Sequence, residues 1–232
     1  MLSTETNYKK LFSVLSPQHS VLNTFLLEKK MVDLIPSSET VMQILKRTGA
    51  FREGHFVYPN GKHSPHYFQM PLAFRYYDTA RVLAVALSRK FRVDRDISSQ
   101  LPKVSIISPS SGGIPVAFGV RDALSAEQIY WAEQEGDKRR FRQYINKGEV
   151  NPCIIVDDII RSGNAIEETA ELVKELGAPV IGCGAIVRFT SAPDKLGEVP
   201  IRSLVDFDAH MYDEGDECSD CVKGAPVEHV RF

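Results

Sequence analysis

No stretch of this chain strings together the roughly 18 apolar residues that a membrane helix requires. Its first ten residues, Met1 to Lys10, are polar and lack the apolar centre of a secretion signal. Neither sign of charge dominates: 28 Lys+Arg face 30 Asp+Glu, for a formal charge of −2. That balance gives no electrostatic case for bulk nucleic-acid binding, although a local basic cluster remains compatible with it. Cysteine is scarce. Cys153 and Cys183 lie in apolar stretches, and only Cys218 and Cys221 are close in sequence, which is no disulfide framework. There is no internal repeat and no long Pro/Gly/Ser linker. These absences set the expectation of a cytoplasmic protein with no nucleic-acid partner and no membrane contact.

What is present is ordinary for a soluble globular chain: 43% hydrophobic and 25% charged residues. A chain of 232 residues buries roughly 70% of the surface its unfolded form exposes, enough for a core without disulfides or metals. Residues 1–40 differ from the rest. Their charges balance, and Leu11, Leu15, Val21, Leu22, Phe25 and Leu26 have loose helical spacing. They read as a short N-terminal helical extension, with one main domain over 41–232.

Pro36-Ser37-Ser38 marks a helix start, Val41, Ile44 and Leu45 give its apolar face, and Gly49 its stop. Two aromatic, β-branched runs, Phe56-Val57-Tyr58 and His66-Tyr67-Phe68, flank Pro59-Asn60-Gly61 and predict a hairpin. Asp78 is placed to cap the next helix, which carries Val82, Leu83, Ala86 and Leu87. From Lys103 onward strands alternate with helices. Strands are expected at Val104–Ile107, Gln128–Ala132, Cys153–Val156, Val180–Val187 and Ile201–Phe207, with helices from Pro115 to about Leu124 and over Ala165–Leu176. This pattern predicts an α/β fold with a mostly parallel sheet, ligands sitting beyond the carboxyl ends of its strands.

The segment richest in chemistry is Cys153-Ile154-Ile155-Val156-Asp157-Asp158-Ile159-Ile160-Arg161-Ser162-Gly163-Asn164-Ala165. An apolar strand delivers two adjacent carboxylates, and a small glycine-containing turn then opens a helix. Free N–H groups at that helix start, with the helix dipole, suit a phosphate monoester. The carboxylates suit ribose hydroxyls or a divalent cation. Together they describe a grip on a ribose 5-phosphate, although Asp-Asp before a small turn also fits a plain turn with a helix cap.

This segment resembles the phosphoribosyl pyrophosphate (PRPP) motif of the type I phosphoribosyltransferases. Within that superfamily residues 41–230 look like the orotate phosphoribosyltransferase family. Gly49-Ala50-Phe51 through Phe56, and Asn60 through Phe68, are similar to the family's hairpin, part of a hood over the base. The resemblance implies a hood built from 41–75 and part of the C-terminal region. Ser108–Gly113 is similar to the diphosphate loop, and Glu133–Glu149 to a mobile loop that closes over the site. Cys218-Ser219-Asp220-Cys221 with Gly224-Ala225-Pro226 resembles one branch's tail.

The resemblance implies displacement of diphosphate from PRPP by a pyrimidine nitrogen, with Mg²⁺, in a homodimer whose loop reaches the neighbouring site. Asp157, Asp158 and Arg142 are then the catalytic residues. PRPP would be bound by Asp157 through Ala165 (Ile159, Ile160, Arg161, Ser162, Gly163 and Asn164 between them), by Ser110, Ser111, Gly112 and Gly113, and by Lys138 and Arg139. The base would meet Tyr67, Phe68, Arg161 and Arg188. No residue is assigned as a ligand of a resident metal. For Cys218 and Cys221 a reduced pair is expected, a zinc shared across subunits or a disulfide being the alternatives, with His210 and His229 the nearest histidines in sequence.

The chain also departs from the family pattern. Pro59 stands where many members have lysine. Arg161 replaces the first threonine of the phosphate turn. Arg188-Phe189 stands where Asp-Arg is usual, so the arginine that would meet the orotate carboxylate is shifted by one. On a strand, that shift turns the side chain to the other face. Two alternatives therefore stay open: a PRPP-binding regulatory or degenerate phosphoribosyltransferase-like protein, and a transferase for another base.

Overall fold

A computed structural model describes residues 35–213 and 218–230. Of the expected extension over residues 1–40, positions 1–34 lie outside the described residues. The first helix, α1 (Ser38–Thr48), starts where Ser37 Oγ accepts the backbone N–H of Thr40 at 3.2 Å and stops at Gly49. Strands β1 (Phe51–Val57) and β2 (His63–Phe68) form the antiparallel hairpin, and a late strand, β10 (Glu228–His229), joins β1 in parallel. These three strands make a small sheet of their own, in the order β10-β1-β2.

Two short turns of helix, α2 (Pro71–Phe74) and α4 (Arg95–Ser98), bracket the long helix α3 (Tyr77–Arg92). Asp78 does not cap α3: the cap position is Tyr76, and Asp78 lies inside the first turn, where a carboxylate still favours the positive end of the helix dipole. The main sheet then follows: β3 (Ser105–Ser108), helix α5 (Ile114–Leu124), β4 (Gln128–Glu135), β5 (Lys138–Phe141), β6 (Cys153–Ile160), helix α6 (Asn164–Glu175), β7 (Val180–Phe189), β8 (Lys195–Leu196) and β9 (Val199–Phe207). Its order is β5-β4-β3-β6-β7-β9-β8. The five central strands run parallel, and antiparallel β5 and β8 lie at the two edges.

Several strands run longer than the sequence pattern suggests. β6 continues through Asp157-Asp158 to Ile160, because Ile159 and Ile160 keep pairing, with Val187 and Arg188 of β7. The stretch expected to be a loop over Glu133–Glu149 is partly regular: Glu133–Glu135 pairs with Lys138–Arg140 across a turn at Gly136-Asp137. Alternating chemistry allows it, since each strand there needs only one apolar face and Ala132 pairs opposite Phe141.

The sheet is covered on both faces. One apolar cluster holds Leu83, Leu87 and Phe91 of α3 and Val116 and Val120 of α5 against Ile106, Ile154 and Val156; the other holds Ile166 and Val173 of α6 against Ile107, Ile155 and Cys183. Burial on both faces explains why the central strands read as unbroken apolar runs rather than as alternation. The chain enters the sheet at β3, moves outward to β4 and β5, then returns to the other flank of β3 as β6. The loops after β3 and β6 therefore diverge, which opens a crevice at their carboxyl ends. No helix among the described residues is long and apolar enough to cross a membrane.

Candidate active site

The crevice is built around two carboxyl groups. Asp157 and Asp158 are only 4% and 7% exposed. Asp157 Oδ1 accepts the Ser110 hydroxyl at 2.7 Å and the backbone N–H of Asp158 at 3.0 Å. Asp158 Oδ1 accepts the N–H of Ile159 at 2.8 Å. Ser110 Oγ in turn accepts the N–H of Gly113 at 3.1 Å, and Ser108 Oγ donates to the Ser110 carbonyl at 2.6 Å. The loop after β3 is thus stitched onto the end of β6.

That stitching requires glycine. A β-carbon on Gly112 would sit 2.8 Å from Asp158 Oδ2; one on Gly113 would sit 2.6 Å from Ser108 Oγ and collide with Asp157 Oδ1. The loop backbone approaches the carboxyls as closely as it does because neither residue has a side chain.

Burial raises the Asp157 carboxyl well above the usual carboxylate range, and the neighbouring Asp158 adds to this. Burial also raises Asp158, against the opposing effect of hydrogen bonds and the nearby Arg161 charge. Two buried carboxyls side by side form a site that gains stability when positive charge arrives.

Next to them opens a cleft of about 370 Å³. Tyr67 and Phe68 of β2 form one wall, and Gly112, Asp158 and Arg161 the other. Beyond Arg161 the backbone turns through Gly163, whose φ of +90° few side-chain-bearing residues adopt, and enters the 12-residue helix α6 with no side-chain cap. At that start the Asn164 N–H reaches Ser162 Oγ at 3.4 Å and the Ile166 N–H the Gly163 carbonyl at 3.0 Å, and the positive end of the helix dipole faces any incoming anion.

The structure gathers Tyr67, Phe68, Asp158, Ile159, Arg161 and Gly112 around this cleft, with Asp157, Ser110 and Gly113 bonded behind it. Arg139 lies close by. Its Nη1 donates to the Pro109 carbonyl, at the root of the glycine loop, and its Nε pairs with Glu168 of α6 at 3.0 Å. Lys138 is exposed on β5. Arg142 lies outside the cleft and pairs with Glu133 at 2.7 Å. Ile160 is buried in the apolar cluster under α6, so it supports the turn from below and only its backbone is available to a ligand.

The structure places Arg188, expected at the base, outside the cleft lining. Val187 pairs in register with Ile159, which lines the cleft, whereas Arg188 pairs with Ile160. Because Val187–Phe189 is strand, side chains alternate, and Arg188 is turned to the opposite face. There Nε donates to Asp206 Oδ1 at 2.9 Å and Nη1 to the Ala192 carbonyl at 3.0 Å. The sequence reading also passed over Gln69, Met70 and Pro71, which complete the wall after Phe68. Their signal was the proline at a helix start directly after an aromatic strand, which fixes the chain as it leaves the hairpin.

Comparison with known proteins agrees with this geometry. Residues 79–205 match the phosphoribosyl transferase domain. The chain is 30% identical over 190 residues to an orotate phosphoribosyltransferase of Thermotoga petrophila, covering 81% of this chain and 95% of that one. It is 32% identical over 192 residues to the orotate phosphoribosyltransferase of Caldanaerobacter subterraneus, covering 82% and 94%. Among solved structures, the orotate phosphoribosyltransferase of Aeropyrum pernix superposes with a TM-score of 0.57 at 22% identity, over 70% of this chain and 90% of that one. The Mycobacterium tuberculosis enzyme gives 0.55 at 16%, over 73% and 95%.

Proposed function

The chain belongs to the phosphoribosyltransferase family and is similar to orotate phosphoribosyltransferases, and we propose that it moves the 5-phosphoribosyl group of PRPP onto orotate. The bond from the anomeric carbon to diphosphate breaks, a bond to the pyrimidine nitrogen forms, and orotidine 5′-phosphate and diphosphate leave. The observation that carries this reading is the buried Asp157–Asp158 pair, set between a glycine loop and an uncapped helix start.

Each part has a task. The N–H groups at the start of α6, with Ser162, hold the 5-phosphate. Asp157 and Asp158 face the ribose, where positive charge develops as diphosphate departs. Their burial makes that stabilisation stronger than it would be in water. Backbone N–H groups of Ser111 and Gly112 meet the departing diphosphate, and Arg139 stands at the root of that loop. Tyr67 and Phe68 supply flat apolar surface for the base.

The donor set also fits a magnesium ion carried in with the diphosphate, since Asp157 and Asp158 offer hard oxygens in a site that favours incoming positive charge. When bound, it would offset charge on the leaving group. Arg142 and Lys138, which do not line the cleft of their own chain, are assigned to the neighbouring site of a homodimer.

The turned-away Arg188 favours a second reading in one respect, a different acceptor base. Under the first reading Arg161 is the cation that meets the orotate carboxylate. The test is release of diphosphate from PRPP with Mg²⁺ and a panel of bases. Orotate-dependent release that Arg161→Ala weakens supports the assignment. Release with another base alone overturns it, and release with none removes the transferase reading.

A further inference from the structure

Away from the cleft, the hairpin and the tail bring four side chains together: His55 of β1, His63 of β2, and Cys218 and Cys221. One donor atom from each lies within 4.8 Å of all the others. His55 Nε2 and His63 Nδ1 are 3.1 Å apart, and Cys221 Sγ is 3.3 Å from the first and 3.2 Å from the second. Cys218 Sγ is 3.6 Å from His55 Nε2. We propose that these four residues bind a zinc ion that clips the C-terminal segment to the hairpin.

The spacing matches the metal. Zinc–sulfur bonds of about 2.3 Å and zinc–nitrogen bonds of about 2.05 Å place tetrahedral donors about 3.3 Å apart for two nitrogens and about 3.6 Å apart for nitrogen and sulfur. The four separations above fall within a few tenths of an ångström of those values. Two thiolates and two imidazoles form the borderline-soft set that zinc prefers over magnesium or calcium. The surroundings fit as well. His55 Nδ1 lies 3.1 Å from the Ala225 carbonyl. A proton on Nδ1 makes that bond and leaves Nε2 free to ligate, the usual outer partner of a metal-bound histidine. Cys218 is fully buried and His55 nearly so.

The backbone is shaped for the cluster. β1 shifts register between Glu53 and Phe56, so His55 and Phe56 are both buried despite being neighbours. The bulge breaks the alternation and turns His55 toward the tail, while Phe56 keeps its packing against Tyr67. On the other side, Tyr212 exchanges backbone hydrogen bonds with His63, both at 2.9 Å, and β10 pairs with β1 just beyond the cysteines. The ion would therefore join two segments distant in sequence, the hairpin and the tail, the arrangement in which a metal contributes most to folding. The ligand set spans the one hairpin that also carries Tyr67 and Phe68, so the clip fixes a wall of the cleft without touching it.

The test uses the full chain, purified without chelator under reducing conditions. Elemental analysis is expected to find about one zinc per chain. Exchange with Co²⁺ is expected to give the intense visible bands of a tetrahedral site and a thiolate charge-transfer band in the near ultraviolet. Cys221→Ser and His63→Ala are expected to lose both signals. If those variants do not fold, the Co²⁺ spectrum of the unaltered protein decides alone. Less than about a tenth of an equivalent of zinc after loading and dialysis, a Co²⁺ spectrum without the thiolate band, or a Cys218–Cys221 disulfide in the reduced preparation would each overturn the site.

Discussion

Placing a methyl group on Gly113 tests whether the glycine loop is braced by the carboxyls or merely lies near them. Its β-carbon would come within 2.6 Å of Ser108 Oγ and 3.1 Å of Asp157 Cα, and would overlap Asp157 Oδ1. Ser108 is fully buried and Asp157 nearly so, so neither can swing away. Restoring ordinary contact with Ser108 Oγ requires the loop to retreat by roughly 0.8 Å. Overpacking of this kind costs about 1–3 kcal/mol, or about 2–12 °C in melting temperature for a chain of this size. The same retreat stretches the hydrogen bond from Gly113 to Ser110 and shifts the loop against incoming diphosphate. Misplacement on that scale lowers turnover by about 10²-fold. Gly119→Ala is the control. Its β-carbon would sit 2.5 Å from that of Ala84, where α5 crosses α3, so stability falls by a similar mechanism while the site keeps its geometry. Melting curves and diphosphate-release rates at a temperature where both variants are folded separate the two effects. A Gly113→Ala protein with turnover within about threefold of the Gly119→Ala protein would refute the bracing argument.

Asp157→Asn is expected to abolish turnover yet raise the melting temperature at pH 7 to 8. Burial and Asp158 raise the folded-state pKa of Asp157 above its unfolded value, so between the two the folded chain holds the extra proton and stability falls as pH rises. Asparagine removes that fall; a variant that melts lower than the original across this range counts against it. Asp206 behaves in the opposite sense. Burial alone would raise it, but hydrogen bonds from Ser203 and Arg188 outweigh that and hold it below its ordinary value. Arg188→Ala should therefore cost about 1 kcal/mol or less at neutral pH, the pair being half-exposed on the Asp206 side. The loss should vanish as acid protonates Asp206, and the KM for orotate should stay within about twofold. A large rise in that KM would return Arg188 to the base site. Burial pushes Cys153 and Cys183 up to about 12, so alkylation at pH 8 followed by peptide mapping should leave both unlabelled in the native chain.

The α/β alternation, the chain order of the central strands and helices, and the Asp157–Asp158 pair beside a small turn were all legible because each rests on local chemistry. Doubly buried strands must be apolar throughout, and a turn that frees N–H groups must be small. Arg188 marks where such reading stops. Its role depends on whether Val187–Phe189 is strand or loop, and that is decided by pairing with Ile160 and Asp206, residues remote in the chain. His55 and His63 are a second case. Alternation along β1 predicts opposite faces for His55 and Phe56, and only the bulge brings both inward. Sequence proximity pointed to His210 and His229 as partners of the cysteines, whereas the hairpin's register selects His55 and His63.

The chemistry of the cleft and the chemistry of the clip then follow one logic of charge. In the cleft two carboxyls are held buried side by side, and their repulsion is relieved when positive charge arrives. Arg188, which could have relieved it permanently, is withdrawn to the far face and neutralised by Asp206. Arg161 stays at the rim, where it lowers Asp158 without pairing with it closely enough to cancel the site. Moving a cation inward should therefore stabilise the empty protein and slow the reaction. Ile159→Lys, which would extend an ammonium into the cleft beside Asp158, is expected to raise the melting temperature in the absence of PRPP and to weaken PRPP binding at least tenfold, roughly one lost charge-assisted contact. Calorimetric titration with PRPP measures the second effect directly. Unchanged PRPP affinity in a folded Ile159→Lys protein would mean that the carboxyls are not where the sugar binds.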